Sequence, residues 1–542
     1  MNNSIPTIPT PKCEPVKSYK PESAERKDAI LEYNKLMNKV VDIPMFINGK
    51  NVKSKKTKYI YPPHKHKHIV GKYYEGNTTH VHKAINSALK AKSDWESMDF
   101  YSRASIFLKA AELLAGPFRQ KINAATMIGQ SKNIFQAEID AACELIDFLN
   151  FNVKFASEIY QNQPESSKGI WNKMEYRSLE GFIFAITPFN FTSIAANLCI
   201  APALMGNTIV WKPSESQIYS TKVIINLLKE AGLPEGVINV IYTNPITASN
   251  VVFKHPNFAG VHFTGSTKVF KDIWKTIGNN IHLYKNYPRI VGETGGKDFI
   301  LAHNSANIKE VVTALIRGAF EYQGQKCSAA SRAYLPKSQW KSIQNELIKE
   351  LKTISVGDPE DFSHFMNAVI HEQSFDKLNK VIKKVKQNKF AKIIFGGKVD
   401  KSVGYFIQPT VIVTKKANFF TMEEELFGPI LTIYIYEDKD FQKTLKIIDE
   451  TSEYGLTGAI FSKNRNIINE SLKYLKMAAG NFYINDKPTG AVVSQQPFGG
   501  GRSSGTNDKA GSYLNLLRWV SPRTIKENFL PEKNYRYPFL EK

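Results

Sequence analysis

The sequence predicts an α/β protein built around a doubly wound parallel sheet, and three observations support that expectation. From residue 182 onward, short apolar runs alternate with helical stretches, the pattern of parallel βαβ units. Before that point Val81, Ala84, Ile85, Ala88 and Leu89 recur at helical spacing, and similar stripes run through 101–115 and 134–160. At 542 residues the chain is too long for one ordinary core, so two or three structural units are expected.

Taken in order, residues 1–40 carry Pro6, Pro9, Pro11, Pro15 and Pro21 ahead of a helical stretch, so the first part reads as a mobile arm. A short strand section near 45–75 precedes the largely helical remainder of the first third. Within it, His64-Lys65-His66-Lys67-His68 would set three imidazoles on one face of a strand. The lysines repel a cation and no acidic or cysteine partner follows, so a solvated loop is expected there and no metal site. Gln163 to Tyr176 has little helical character and reads as a projecting hairpin.

Phe182-Ile183-Phe184-Ala185-Ile186 is a buried-strand run, followed by a loop and a helix near 192–205. Thr208-Ile209-Val210-Trp211 is a second strand. A helix over 217–231 is stopped by Gly232 and Pro234. Val237 to Tyr242 and Gly260 to Phe263 are a third and a fourth strand, with a short helix between them. Residues 298–485 repeat the alternation, and from 481 the chain is rich in Gly, Asn and Ser before turning extended.

Composition narrows the function classes. Hydrophobic residues at 42% and charged residues at 23% suit a globular protein. The apolar runs Gly181 to Ile186 and Val237 to Ile241 are too short to span a bilayer. The formal charge of +22 would suit nucleic acid only if the cations formed a face. They are spread along the whole chain among acidic and apolar residues, so a general lysine-rich surface is expected. Cys13, Cys143, Cys199 and Cys327 form no C-x-x-C pair and follow no secretory leader, which fits a reducing compartment. Cys143 and Cys199 sit in apolar helical patterns as core residues. Cys327, flanked by Lys326 and two small residues, is placed to be reactive, since a neighbouring cation favours the thiolate.

Cys327 follows Glu293 in the chain, and each lies in its own glycine-marked segment: Gly292-Glu293-Thr294-Gly295-Gly296 and Gly324-Gln325-Lys326-Cys327-Ser328. A thiolate that adds to a carbonyl and a carboxylate that later takes a proton from water are the parts of thioester chemistry. The Asn190 amide, in Thr187-Pro188-Phe189-Asn190, offers an uncharged donor for the oxyanion. For a dinucleotide, Phe263-Thr264-Gly265-Ser266-Thr267 runs from strand into helix, where Gly265 permits close backbone approach. It lacks G-x-G-x-x-G. Lys212 and Glu215, after the strand ending at Trp211, read equally well as ribose contacts or as a capped turn.

These motifs resemble the aldehyde dehydrogenase superfamily and, within it, the Δ1-pyrroline-5-carboxylate dehydrogenases. The resemblance runs from about Lys12 to the C-terminal region. It rests on Leu179-Glu180-Gly181-Phe182, Ala201 to Asn207, Phe320 to Ser328, Gly480 to Lys487, Gln495 to Gly500 and Ser504 to Asp508. It implies an aldehyde dehydrogenase-like fold: a Rossmann-type NAD-binding domain over 41–162 and 182–297, an α/β catalytic domain over 298–506, and an oligomerisation flap from 163–181 and 507–542, after an arm and helix over 1–40. It implies Cys327 as nucleophile, Asn190 as oxyanion donor and Glu293 as general base. NAD contacts are implied at Thr187, Lys212, Glu215, Gly265, Ser266, Thr267, Lys268, Val269 and Glu425. The implied reaction is oxidation of glutamate γ-semialdehyde to glutamate.

For the substrate, the resemblance implies Glu144 facing the α-amino group, Phe191 and Phe498 around the aliphatic chain, and Lys326, Ser328, Gly490 and Ala491 at the carboxylate end. The anchoring turn, Thr-Gly-Ser in the family, reads Thr489-Gly490-Ala491 here. A lost hydroxyl donor to a charged group costs about 1.5–3 kcal/mol unless Lys326, Ser328 or water compensates. Another semialdehyde or broad-range aldehyde dehydrogenase is the alternative, one that keeps Cys327 and Glu293 but needs a different anchor. A homodimer or higher homo-oligomer is implied. The mitochondrial matrix is the implied location, although Met1 to Pro11 contains no arginine, and the cytoplasm is the alternative.

Overall fold

The computed structural model describes residues 6–540. The first five residues of the expected arm, part of the Met1 to Pro11 segment, and the last two of the expected tail lie outside the described residues.

The first sheet has seven strands in the spatial order Arg289–Glu293, Phe258–Thr264, Phe182–Thr187, Thr208–Pro213, Ile238–Val240, Met45–Ile47 and Lys50–Val52. The first five are parallel, and the last two add an antiparallel edge. The chain starts in the middle at Phe182–Thr187, builds outward to Ile238–Val240, then returns to the other side with Phe258–Thr264. The strand order therefore reverses between Phe182–Thr187 and Phe258–Thr264, and open α/β sheets bind ligands at the carboxyl ends of the strands beside such a reversal. The central strand residues are mostly apolar because helices cover both faces. Phe258–Thr264 is buried at every position. The helix Ile218–Ala231 ends where expected, with Gly232 in the left-handed region at φ +98° and its N–H bonded to Leu228 O and Lys229 O.

The second sheet runs Ala391–Phe395, Thr410–Thr414, Ile430–Tyr436, Ala330–Pro336, Asp298–Ala302, Thr457–Phe461 and Asn481–Ile484. Only Ala391–Phe395 is antiparallel to its neighbour. Alternate residues of Asp298–Ala302 enter two different cores. Phe299 and Leu301 pack with Phe375, Leu378 and Leu445, while Ile300 and Ala302 pack with Val311, Leu315 and Leu347. That period-two division is what a doubly covered strand requires.

Three expectations need correction. Gln163 to Tyr176 forms no hairpin of its own. One long strand, Ile170–Ser178, pairs antiparallel with the C-terminal strand Val520–Asn528 over nine residue pairs; its partner is distant in sequence, so local pattern could not reveal it. The arm is docked: Ile8 and Tyr19 are buried, Glu14 N–H donates to Asp147 Oδ1 at 2.7 Å, and Lys17 N–H donates to Glu138 Oε1 at 3.0 Å. Polar contacts of its backbone hold it, which proline count does not report. The histidine run is not wholly solvated either. His64 is 1% exposed, set between the Tyr33 hydroxyl at 2.9 Å and Ser131 Oγ at 3.1 Å. No helix among the described residues is long and apolar enough to cross a membrane.

Candidate active site

Cys327 is delivered by a short segment of unusual backbone. Tyr322, Gln323 and Gly324 all have positive φ, at 50°, 55° and 65°. Two consecutive non-glycine residues in the left-handed region are costly and persist only where the surroundings impose them. Here Gln323 Nε2 donates to Ser131 O at 3.0 Å and Ala368 O at 2.8 Å. Gly324 has no room for a side chain beside the Gly428 carbonyl. The segment turns sharply, and Cys327 emerges ahead of the strand Ala330–Pro336, facing a cavity of about 460 Å³.

Glu293 reaches the same cavity from the carboxyl end of its strand, where it lies opposite Thr264 in register. Burial, followed by the neighbouring Asp508, pushes its carboxyl up to about 8, with Lys509 opposing. Burial also pushes the Cys327 thiol well above its ordinary value, and the carboxylates of Glu293, Asp298 and Glu425 add to this. The expectation that Lys326 favours the thiolate needs correction, because its Nζ donates to Glu321 Oε2 at 2.9 Å and its charge is met there. Asn190 lies outside the cavity lining; its Nδ2 donates to Gln325 O at 3.1 Å, two residues before Cys327.

The cavity brings together Glu144, Phe191, Glu293, Lys326, Cys327, Ser328, Gly490, Ala491 and Phe498. It has an acidic wall. The acidic wall is a π-helical insertion, Glu138–Glu144, between the helices Ile134–Ala137 and Leu145–Gln161, a departure that often marks functional positions. Asp140 caps the helix Thr192–Leu204 by accepting from Thr192 N–H at 3.0 Å and Ser193 N–H at 3.1 Å. Lys132, buried to 1% exposure, donates to Asp140 Oδ2 at 2.6 Å and stands 4.3 Å from the Phe191 ring centroid. Ser193 Oγ lies 2.7 Å from Asp140 Oδ1 and 2.6 Å from Glu144 Oε2. One hydroxyl has one hydrogen, so when Ser193 donates to Asp140, a protonated Glu144 donates to Ser193. Burial, then the Asp140 charge, pushes Glu144 up to about 8, which agrees. Lys326, Arg317 and Lys487 line the cavity as well, around Glu321.

Of the implied cofactor residues, Thr187, Lys212 and Gly265 to Val269 lie at or just after the carboxyl ends of strands of the first sheet. Gly265 follows Phe258–Thr264, and a Cβ there would lie 2.7 Å from the Phe263 ring. Ser266 caps the helix Thr267–Asn279, its Oγ accepting from Val269 N–H at 3.4 Å, while Lys268 and Val269 are exposed beside it. Lys212 and Glu215 line one small cleft. Lys212 is 7% exposed with a single acceptor, Pro213 O at 3.3 Å, and burial lowers it to about 8. A buried ammonium with one carbonyl partner fits additional hydroxyl acceptors such as those of a ribose. Thr187 presents its Oγ1 to Trp211 Nε1 at 2.9 Å. Glu425 Oε1 accepts from Gly296 N–H at 3.0 Å, over the loop after Glu293.

Several cavity residues escaped the sequence reading. Asp140 looks like an ordinary helix residue, and its buried partners Lys132 and Ser193, which stand behind the lining, come from other segments. Cys13, Glu14 and Val16 of the arm also line the cavity, and no local pattern could have placed them there. Arg317 and Lys487 were readable only as surface cations.

A profile of the aldehyde dehydrogenase family matches residues 50–525. The chain is 50% identical to the mitochondrial Δ1-pyrroline-5-carboxylate dehydrogenase of Dictyostelium discoideum over 98% of this chain and 96% of that one. It is 44% identical to the mitochondrial human enzyme of that name over 97% and 94%. The crystal structure of the Δ-pyrroline-5-carboxylate dehydrogenase from Mycobacterium tuberculosis bound with NAD superposes with a TM-score of 0.96 at 47% identity, covering 100% of both chains.

Proposed function

This chain belongs to the aldehyde dehydrogenase family, and from that membership we propose that it oxidises L-glutamate γ-semialdehyde to L-glutamate with NAD⁺. The semialdehyde is the opened and hydrated form of pyrroline-5-carboxylate, so the reaction is the second step of proline catabolism. The cavity is the observation that carries this reading. Glu144, with Arg317 and Lys487 lining the same space, suits an ammonium and a carboxylate on one carbon. Cys327 and Glu293 line the same space.

In this reading the Cys327 thiol loses its proton and adds to the aldehyde carbon, forming a thiohemiacetal whose oxyanion is held by the Asn190 amide. The groups at Lys212, Glu215, Thr187, Glu425 and the Gly265-to-Val269 turn would hold NAD⁺, which when bound would take the hydride from the thiohemiacetal carbon and so leave a thioester on Cys327. Glu293 then takes a proton from water, and the hydroxide attacks the thioester to release glutamate and restore the thiol. Phe191 and Phe498 enclose the methylene chain. The first sheet serves the cofactor and the second carries the nucleophile. The Ile170–Ser178 and Val520–Asn528 ribbon joins a second copy. The matrix is the proposed location, in keeping with the relatives named mitochondrial.

The test is an initial-rate comparison of pyrroline-5-carboxylate with straight-chain aldehydes, using NAD⁺ or NADP⁺. The expected outcome is a kcat/KM for pyrroline-5-carboxylate at least ~100-fold above that for the uncharged aldehydes, since two charge-assisted contacts are lost with the amino-acid head. Comparable values would replace this reading with a broad-range aldehyde dehydrogenase.

A further inference from the structure

One residue of the histidine run is built into the interior and has no task in the chemistry described above. His64 is 1% exposed, on a loop that residues 404–405 hold in place. Tyr405 N–H donates to Pro63 O at 3.1 Å, and a Cβ on Gly404 would lie 2.6 Å from His64 O. Burial lowers the imidazole to about 4, with Asp358 opposing. The ring is therefore neutral, and one of its nitrogens carries no proton.

The neighbours decide which nitrogen that is. Lys65 Nζ pairs with Asp358 Oδ2 at 2.8 Å, and the Tyr33 hydroxyl donates to Asp358 Oδ1 at 3.2 Å. The Tyr33 oxygen therefore accepts from His64 Nε2–H at 2.9 Å. That leaves Nδ1 as the acceptor for the Ser131 hydroxyl at 3.1 Å, and Ser131 Oγ in turn accepts from Ala368 N–H at 3.1 Å. Ser131 stands in the left-handed region at φ 52°, which a serine keeps only where its surroundings impose it. Ser131 and Ala368 are also the two residues whose carbonyls hold Gln323 Nε2, at 3.0 and 2.8 Å. The Ser131 hydroxyl thus joins the two halves of the clasp on the left-handed turn that delivers Cys327. His64, Ser131 and Gln323 stand outside the cavity lining, so any effect on the chemistry passes through that turn.

We propose that His64 is a positioning residue for the nucleophile: through Ser131 it holds Gln323, and with it the turn that sets the Cys327 sulfur in the cavity. This rests on Cys327 acting as the nucleophile in the function proposed above. Without the His64 acceptor, the Ser131 hydroxyl is left unpaired in a buried site, and turning toward another acceptor takes its oxygen off Ala368 N–H. Ser131 and Ala368 then lose their link, and the clasp on Gln323 loosens. A displacement of the sulfur by about 1 Å lowers the rate on the order of 10²-fold. Binding of the cofactor and of the amino-acid head, which use other residues, is kept.

The experiment compares the full-length protein with His64→Asn, His64→Gln, Ser131→Gly and His64→Gln/Ser131→Gly. It measures the stopped-flow burst of reduced cofactor with pyrroline-5-carboxylate, KM, and NAD⁺ binding by calorimetry as a check of folding. The burst reports attack by Cys327 and hydride transfer. The Asn amide replaces Nδ1 and keeps the Ser131 contact, whereas the Gln amide replaces Nε2 and keeps only Tyr33. Glycine keeps the left-handed backbone at 131 while removing the hydroxyl. His64→Gln and Ser131→Gly are expected to slow the burst by about 10- to 100-fold, with KM and the NAD⁺ Kd within about threefold of wild type. His64→Asn retains most of the burst rate, and the double variant is no slower than Ser131→Gly alone, because both changes break one link. Equal losses in His64→Asn and His64→Gln, or a double variant slowed by the product of the single effects, overturn the proposal and leave the enzyme's identity intact. Should the His64 variants not fold, Ser131→Gly decides, and a wild-type burst there overturns the proposal as well. A wild-type protein that gives no burst with pyrroline-5-carboxylate, or a Cys327→Ala protein that still gives one, overturns the function proposed above together with this inference.

Discussion

Glu293 carries the most direct pH prediction. As a base it works only when ionised, and burial raises its carboxyl to about 8. Roughly a tenth is ionised at pH 7, and the fraction grows as pH rises through 8. Steady-state turnover is therefore expected to increase between pH 7 and 9 with an inflection near 8. Glu293→Gln should lower kcat by about 10²–10⁴ and remove that inflection, while the first turnover still gives a stopped-flow burst of reduced cofactor. A steady-state rate equal to wild type in Glu293→Gln would mean that another group activates water. Single residues were only partly legible. Cys327, Glu293 and Asn190 stood out because their segments are distinctive, but what sets their reactivity comes from groups far along the chain. Asp508 raises Glu293, and Glu321 neutralises the lysine beside Cys327.

At the scale of elements, legibility followed the range of the cause. Phe182–Thr187 and Thr208–Pro213 could be read because an unbroken apolar run has few alternatives to a buried strand. The π-helical segment Glu138–Glu144 could not, since its apolar spacing fits a regular helix and the wider turn is imposed from outside. That imposition includes a buried cluster. Arg119 Nε donates to Glu138 Oε1 at 3.1 Å, and the two side chains are 2% and 0% exposed. Arg119 also reaches Glu14 and, at 3.0 Å, Pro15 O, while the Tyr19 hydroxyl donates to Glu138 Oε2 at 2.7 Å. One ion pair thus pins both the π-helical wall and the arm that completes the cavity. Arg119→Met leaves Glu138 buried without its counter-ion and should cost about 3–5 kcal/mol, seen as a lower thermal midpoint. Glu138→Gln in the same chain should recover part of that loss. A double variant no more stable than Arg119→Met would show that the charge left behind is not the cause.

At the scale of the whole molecule, the paired strands Ile170–Ser178 and Val520–Asn528 form a two-stranded ribbon that is largely solvent-facing. Two strands with no covering layer are marginally stable in water, and their free edges invite pairing. The exposed side chains point the same way. Trp171 on the ribbon is 51% exposed, and beyond it Phe529, Leu530, Tyr535, Tyr537 and Phe539 range from 57% to 81%. Exposed apolar side chains in that number are expected to be covered by another surface, and the proposed second copy of the chain with two-fold symmetry would supply one. The formal charge of +22 opposes association of like copies, so the contact must gain its stability from apolar area, which makes it weakly sensitive to salt. Truncation after Asn528 keeps the ribbon and removes the large exposed apolar side chains that follow it, from Phe529 to Leu540. Light scattering coupled to gel filtration should then report a single 61.2 kDa chain, less the deleted tail, where the full-length protein gives a multiple of that mass. A truncated protein that keeps the full-length stoichiometry would place the contact on the ribbon edge itself, and a full-length protein that runs as a monomer at micromolar concentration would remove the partner altogether.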